Sequence, residues 1–216
     1  AATPGGSSAL YGQRLLGQKK ARGDVIGSIA KTKSELESAE NLVENVSRKN
    51  YTEALREDAG RVRGNDKLQL MAEHPEFVKA WKRAGVLIKS EDITALLRDK
   101  GAAPRTLTSR MHYTKKAIDE KLQTKGSPSG ISDIEYRNLS ELKKQVTQWL
   151  VGNNPLYAKA YSDHIRMSIP VNRMKVGQML QNKLANAKGE ETPAAFLKAM
   201  RDSISEVKKA TGMYGM

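Results

Sequence analysis

Apolar positions recur along most of the chain at steps of three and four, the period of one helix face. The series Val25, Ile29, Thr32, Leu36, Ala39, Val43, Val46 alternates steps of four and three, the spacing of a seam along a helix. Asp24 is placed to cap this helix, with Gly23 as the break before it. Thr32 and Ala39 are weak core residues, so the seam suits packing on a neighbouring helix or on a copy of itself. An ordinary amphipathic surface helix fits the same pattern. Further on, Ser132 and Glu135 form a capping box ahead of the stripe Ile134, Leu139, Leu142, Val146, Trp149 and Leu150. Gly152-Asn153-Asn154 stops that helix. Thr192-Pro193 opens a last helix with Phe196, Leu197, Met200, Ile204 and Val207 on one side.

Weaker signals fill the intervals. Asn50 with Glu53 reads as a capping box for a helix over 51–63, and Asp66 caps a short segment. A short helix is expected over 92–100, and another starts at Thr106 or Thr108. Gly126-Ser127-Pro128-Ser129-Gly130 is a loop. Two helix starts resemble each other: His74-Pro75-Glu76-Phe77-Val78-Lys79-Ala80-Trp81 and Asn154-Pro155-Leu156-Tyr157-Ala158-Lys159-Ala160-Tyr161. Proline costs nothing at a first helical position, because the first amides have no partner there. Inside a helix it removes a hydrogen bond, so Pro170 predicts a kink or a break. No run alternates β-branched and polar residues around an Asn-Gly or Asp-Gly turn. The expected fold is all-α, a multi-helix elongated bundle with a long N-terminal amphipathic helix. Its expected segments are an N-terminal part over 1–66, a helical module over 67–190 and a C-terminal helix with tail over 191–216.

Composition narrows the function. Cysteine is absent among the 216 residues, which excludes disulfide scaffolds, Cys-bearing metal sites and thiol chemistry. No apolar run approaches the ~18–20 residues of a membrane span. Residues 1–8 have neither an initiator Met nor an apolar signal core, which fits a processed end, an engineered junction or an internal cut from a longer polypeptide. The formal charge of +13 is spread along the chain. Such an excess favours polyanions or anionic membrane surfaces at low salt, without implying a sequence-reading site.

The search for chemistry is mostly negative. There is no Gly-x-Ser-x-Gly, no Gly-x-Gly-x-x-Gly and no phosphate-binding Gly-Lys-Thr loop. His74, His112 and His164 have no second His at helical spacing. His74 reads as a helix cap, and the other two as surface or half-buried helix residues. Arg22-Gly23-Asp24 matches an adhesion tripeptide, but a Gly break followed by an Asp cap explains it better. The methionines gather in the last third, where they suit a filled core or an adaptable interface. No catalytic, cofactor or metal residue is nominated, and the chain is expected not to be an enzyme. The candidate polyanion contacts are Arg105, Arg110, Lys115 and Lys116. Tyr113 is the only aromatic near them, so a stacking site for single strands is not indicated. A solvated helix face accounts for them better than a dedicated nucleic-acid site does. The candidate oligomer interface is Val25, Ile29, Leu36, Val43 and Val46.

The order of motifs adds a resemblance. The His74-Pro75 helix start is followed by Pro104-Arg105-Thr106-Leu107, then Thr114-Lys115-Lys116-Ala117-Ile118-Asp119. Leu139, Leu142 and Val146 come next, and Asn154-Pro155-Leu156-Tyr157-Ala158-Lys159-Ala160 closes the series. Over about residues 70–185 this resembles a helical module of tailed-bacteriophage internal virion, or DNA-ejection, proteins. Tyr161 and Gln178 stand where that module usually carries a basic residue. The resemblance implies a structural virion protein that is packaged at the portal or inside the capsid. It would leave with the genome and help build a conduit through the host envelope or periplasm. The implied partners are copies of itself, portal or other ejection proteins, packaged DNA without sequence preference, and the host envelope. No cofactor is implied. The alternative reading is a basic helical nucleic-acid-binding module.

Overall fold

A computed structural model describes residues 6–56, 64–97, 106–186 and 192–211. Among them are eight helices and no strand: α1 Gly6–Ala30, α2 Lys33–Arg56, α3 Asp66–Ala72, α4 Pro75–Leu97, α5 Leu107–Gln123, α6 Asp133–Asn153, α7 Pro155–Ala185 and α8 Pro193–Thr211. The all-α, multi-helix expectation holds. The chain forms two compact units, one of Asn45–His164 and the other of Ala1–Glu44 with Ile165–Met216. The unit boundaries fall inside α2 and α7.

The long N-terminal helical stretch is present as two helices. Lys31 takes φ 53°, a left-handed conformation that ends α1. Thr32 then caps α2: its hydroxyl accepts from the Glu35 amide at 3.1 Å, while the Glu35 carboxylate accepts from the Thr32 amide at 2.7 Å. Gly23 and Asp24 lie inside α1 and neither break nor cap it. The break rotates the buried side. On α1 it is Ile26 and Ala30 that are covered, and on α2 it is Leu36, with Ala39, Val43 and Val46 half-buried. Asn50 likewise lies in the interior of α2, not at a helix start.

In the unit built from α1, the first part of α2, the second part of α7 and α8, Gly177 lies at a close approach of α7 to α1. A Cβ there would lie 2.6 Å from the Ala30 nitrogen and 2.7 Å from its Cα. Both are backbone atoms, so no side-chain movement relieves the clash. Beside it the Gln178 carboxamide donates to the Ala30 carbonyl at 3.3 Å, satisfying an acceptor that the end of α1 leaves open. Lys175 pairs with Glu40 at 2.6 Å and Lys183 with Glu206 at 2.6 Å. On α8 the covered positions are Phe196, Met200, Ser203, Ile204 and Val207, whereas Leu197 is exposed. Pro170 does not break α7, which continues to Ala185. The Pro170 ring is exposed, and α7 is helical on both sides of it.

The Asn45–His164 unit holds the larger core. Phe77, Ala80, Met111, Ile118, Leu139, Leu142, Val146, Trp149, Leu150 and Tyr157 close it from α4, α5, α6 and α7. Its helix ends are capped by side chains of the expected type at Thr106, Ser132 and Asn154, and by Asn65 rather than Asp66. Such a cap contributes roughly 1 kcal/mol. The segment from Asp92 does not start a helix of its own, since α4 runs unbroken from Pro75 to Leu97.

Candidate functional site

Asn154 organises one end of the larger core. The backbone amide of Asn154 closes α6 on the Leu150 carbonyl, and its side-chain oxygen accepts from the Tyr157 amide at 2.9 Å to open α7. Its side-chain amide donates to the Ala54 carbonyl of α2 at 3.1 Å. Asn154 is buried, so each of these bonds satisfies a group that water does not reach. One turn into α7, Tyr157 is wholly buried, and Tyr161 lies partly covered against the same core.

Around Tyr157 lies a cluster of rings. Tyr51 of α2 sits 5.3 Å from His112, 5.1 Å from Tyr157 and 6.3 Å from His164, between ring centroids. His112 Nδ1 is 3.0 Å from the Tyr157 hydroxyl, and His164 Nδ1 is 2.8 Å from the hydroxyl of buried Ser47. Burial lowers the His112 imidazole to a pKa of about 3, with Lys116 and Lys115 adding to the effect. Burial also lowers His164, again with Lys115 adding to it. Both rings are therefore neutral at pH 7. The tautomer of the neutral His112 sets the direction of its bond to the Tyr157 hydroxyl: Nδ1 accepts when the ring hydrogen is on Nε2 and donates when it is on Nδ1. Burial raises the phenols of Tyr51 and Tyr157, which stay protonated donors. Ser47 and His164 resemble a nucleophile and its base, but Ser47 is buried. The arrangement serves to hold α2, α5 and α7 together through hydrogen bonds in a region of low dielectric. Reading the histidines as isolated half-buried residues missed this cluster. The spacing of Tyr157, Tyr161 and His164, at i, i+4 and i+7, placed them on one face of α7.

The nominated polyanion contacts are engaged inside the chain. Arg110 stacks over the Trp81 ring at 5.1 Å and donates from Nη2 to the Trp81 carbonyl at 2.6 Å. Gly85 makes room for it: a Cβ at that position would lie 2.7 Å from Arg110 Nη1. Lys115 pairs with Asp119 at 3.1 Å, and Asp119 also takes Lys143 of α6 at 2.6 Å. Lys116 pairs with Glu91 at 2.8 Å and lies 4.9 Å over the Tyr113 ring. Glu91 accepts from the Tyr113 hydroxyl as well. Arg105 lies outside the described residues. Of the five nominated interface positions, Leu36 is buried within the chain, Val43 and Val46 are half-buried, and Val25 and Ile29 are exposed. The five do not form one exposed face, because the break at Lys31 and Thr32 separates α1 from the α2 seam.

His74 is a cap, as its place before Pro75 indicated: its Nδ1 accepts from the Glu76 amide at 3.2 Å and its carbonyl from the Val78 amide. Among the described residues no cluster of His, Asp or Glu has the geometry to hold a metal ion. No helix there is long and apolar enough to cross a membrane. No protein-family model, curated protein or solved structure matches the chain.

Proposed function

We propose that this chain is a structural module of a tailed-bacteriophage virion protein of the internal, ejection type. It would assemble through helix packing and assist genome delivery through the host envelope. One observation supports this reading over a catalytic one. In the motif series that carries the resemblance, the residues with an identifiable task serve architecture. His74, Thr106 and Asn154 cap helices, and Leu139, Leu142, Val146, Tyr157 and Ala160 are buried. Asp119 ties α5 to α6 through Lys143.

Self-assembly then falls to apolar side chains left outside the chain's own packing. On α1 these include Leu15, Val25 and Ile29, which are 44%, 59% and 44% exposed. At a helical step of 100° they fall within one arc. The test is the solution mass by light scattering after size exclusion, at low and at high salt. The expected result is a discrete higher-order species that survives high salt, because apolar contacts are not screened. The double variant Val25→Asp/Ile29→Asp should lower that mass while helicity by circular dichroism stays unchanged. A monomer at both salt concentrations would overturn the assembly reading.

A further inference from the structure

The expected polyanion contacts on α5 are largely spent on internal partners, whereas Lys49 and Arg56 of α2, in the same unit, are not. Residues 45–56 of α2 turn Val46, Ser47, Tyr51, Ala54 and Leu55 inward. The opposite side carries Asn45, Arg48, Lys49, Thr52, Glu53 and Arg56, which line an open depression of about 470 Å³. Three of these six are cations and one is a carboxylate. Lys49 and Arg56 are exposed, and neither forms an ion pair with any described residue.

We propose that this face of α2 binds the phosphodiester backbone of a nucleic acid without reading its sequence. The chemistry of the six side chains selects that ligand. Arginine presents a planar fork of donors that matches a phosphate, and lysine supplies a point charge. Asn45 and Thr52 add neutral donors of the kind that anchor phosphate oxygens. Lys49 and Arg56 are seven residues apart, roughly 10 Å along the helix axis. That distance matches the rise of about three phosphates of one strand, ~3.4 Å each, measured along the duplex axis. None of the six is aromatic, so there is no platform on which a base could stack. None is apolar, so the face lacks the anchor by which an interfacial helix enters a lipid surface.

The proposal stands apart from the assembly reading, and one set of samples separates the two. The full chain is titrated by fluorescence anisotropy with two duplex DNAs of unrelated sequence and with a single-stranded RNA of matched length. Salt is varied from about 50 to 200 mM, and the solution mass is recorded in parallel. Both duplexes should bind with the same affinity. The double variant Lys49→Ala/Arg56→Ala should bind more weakly and flatten the slope of log affinity against log salt by about 1.8 on duplex DNA, from ~0.9 per lost phosphate contact. A fourfold rise in salt then costs the variant about 12-fold less affinity than it costs the parent. The variant Lys115→Ala/Lys116→Ala should leave the slope close to that of the parent. Binding to the RNA alone would assign the backbone to RNA, and binding to both to either nucleic acid. An unchanged slope in the Lys49/Arg56 variant would overturn the proposal. So would an absence of binding to any of the three nucleic acids, or capture by phosphatidylserine vesicles alone. A parent that is monomeric at both salt concentrations, with the Lys49/Arg56 variant still flattening the slope, would count against assembly on α1 and leave this face standing.

Discussion

On α5, Arg110 lies flat on Trp81 with its guanidinium on a backbone carbonyl, Lys115 shares Asp119 with Lys143, and Lys116 sits on Glu91. On residues 45–56 of α2, Lys49 and Arg56 stand exposed on a polar face with no such partner among the described residues. Both stretches are basic and both belong to the Asn45–His164 unit. The difference lies in what faces each helix. α5 is enclosed by α4 and α6; the α4 carboxylates Glu76 and Glu91, together with its own Asp119, meet its lysines. The outer side of α2 meets solvent. A count of basic residues along a sequence therefore does not locate a polyanion surface. What locates it is the charge left over after the fold has neutralised its own.

Three experiments would break or sharpen this contrast. The largest effect is expected at Arg110. Replacing it with Ala removes a charged donor from the Trp81 carbonyl and a cation from the Trp81 ring, and should cost roughly 2–4 kcal/mol in urea denaturation. Lys49→Ala/Arg56→Ala should stay within about 0.5 kcal/mol of the parent in the same assay. Equal losses in the two variants would erase the distinction between the helices.

A second effect comes from acid. His112 is neutral in the folded chain down to a pKa of about 3, but in the unfolded chain it takes up a proton near its ordinary 6.5. Between those values the unfolded state binds more protons, so stability falls as pH is lowered. The slope is at most ~1.4 kcal/mol per pH unit for one proton. His164 is lowered too and adds loss of the same sign. The carboxylates held low by their partners, such as Glu76 beside Lys121 and Lys79, add further loss of that sign only in the more acidic carboxylate range. Stability measured by urea from pH 7 to about pH 5.5, above the range in which unfolded carboxylates take up protons, therefore reports on the histidines. A flat profile over that range would show that the ring cluster is not closed to water. Lys116→Met should leave the onset of loss unchanged and reduce its total, because removing that ammonium moves the folded pKa of His112 back toward its unfolded value. The smallest effect is expected for Asp119→Asn. It leaves Lys115 and Lys143 without their shared carboxylate, and the groups are less than a third exposed. About 1 kcal/mol is expected, read as a lower thermal midpoint. No change would mean that the α5 ion pairs neutralise charge without holding the helices.

Much of the helix plan was legible in the chain because capping chemistry is local. Ser132 with Glu135, Thr106, and Asn154 before Pro155 each state a helix start within four residues. The α6 stripe was legible because α6 is covered on one side, leaving a clean period of 3.6 with only Ile134 exposed. The break at Lys31 was not legible. It rests on a left-handed lysine and on the Gly177 approach to Ala30, nearly 150 residues away in sequence. The continuity of α7 through Pro170 was not legible either, since the local rule for an interior proline predicts a kink or a break. Of the candidate site residues, the sequence showed where cations lie but not which of them find carboxylates. That depends on helix neighbours such as α4 and α6, which spacing along one helix does not reveal. The tyrosine–histidine cluster was half visible: the α7 face could be read from spacing, but Tyr51 and His112 arrive from two other helices.

The Asn154 side chain also bears on how the protein ages. Asparagine deamidates when the next residue's backbone nitrogen attacks its side-chain carbonyl, closing a succinimide ring and expelling ammonia. The next residue here is Pro155, whose nitrogen carries no hydrogen and lies within a ring. The proline that opens α7 therefore also shuts the main route by which this carboxamide would decay to a carboxylate. Such a carboxylate could no longer donate to the Ala54 carbonyl and would bring a buried negative charge to the junction of three helices. The pairing of Asn with Pro thus protects the joint from this form of chemical wear.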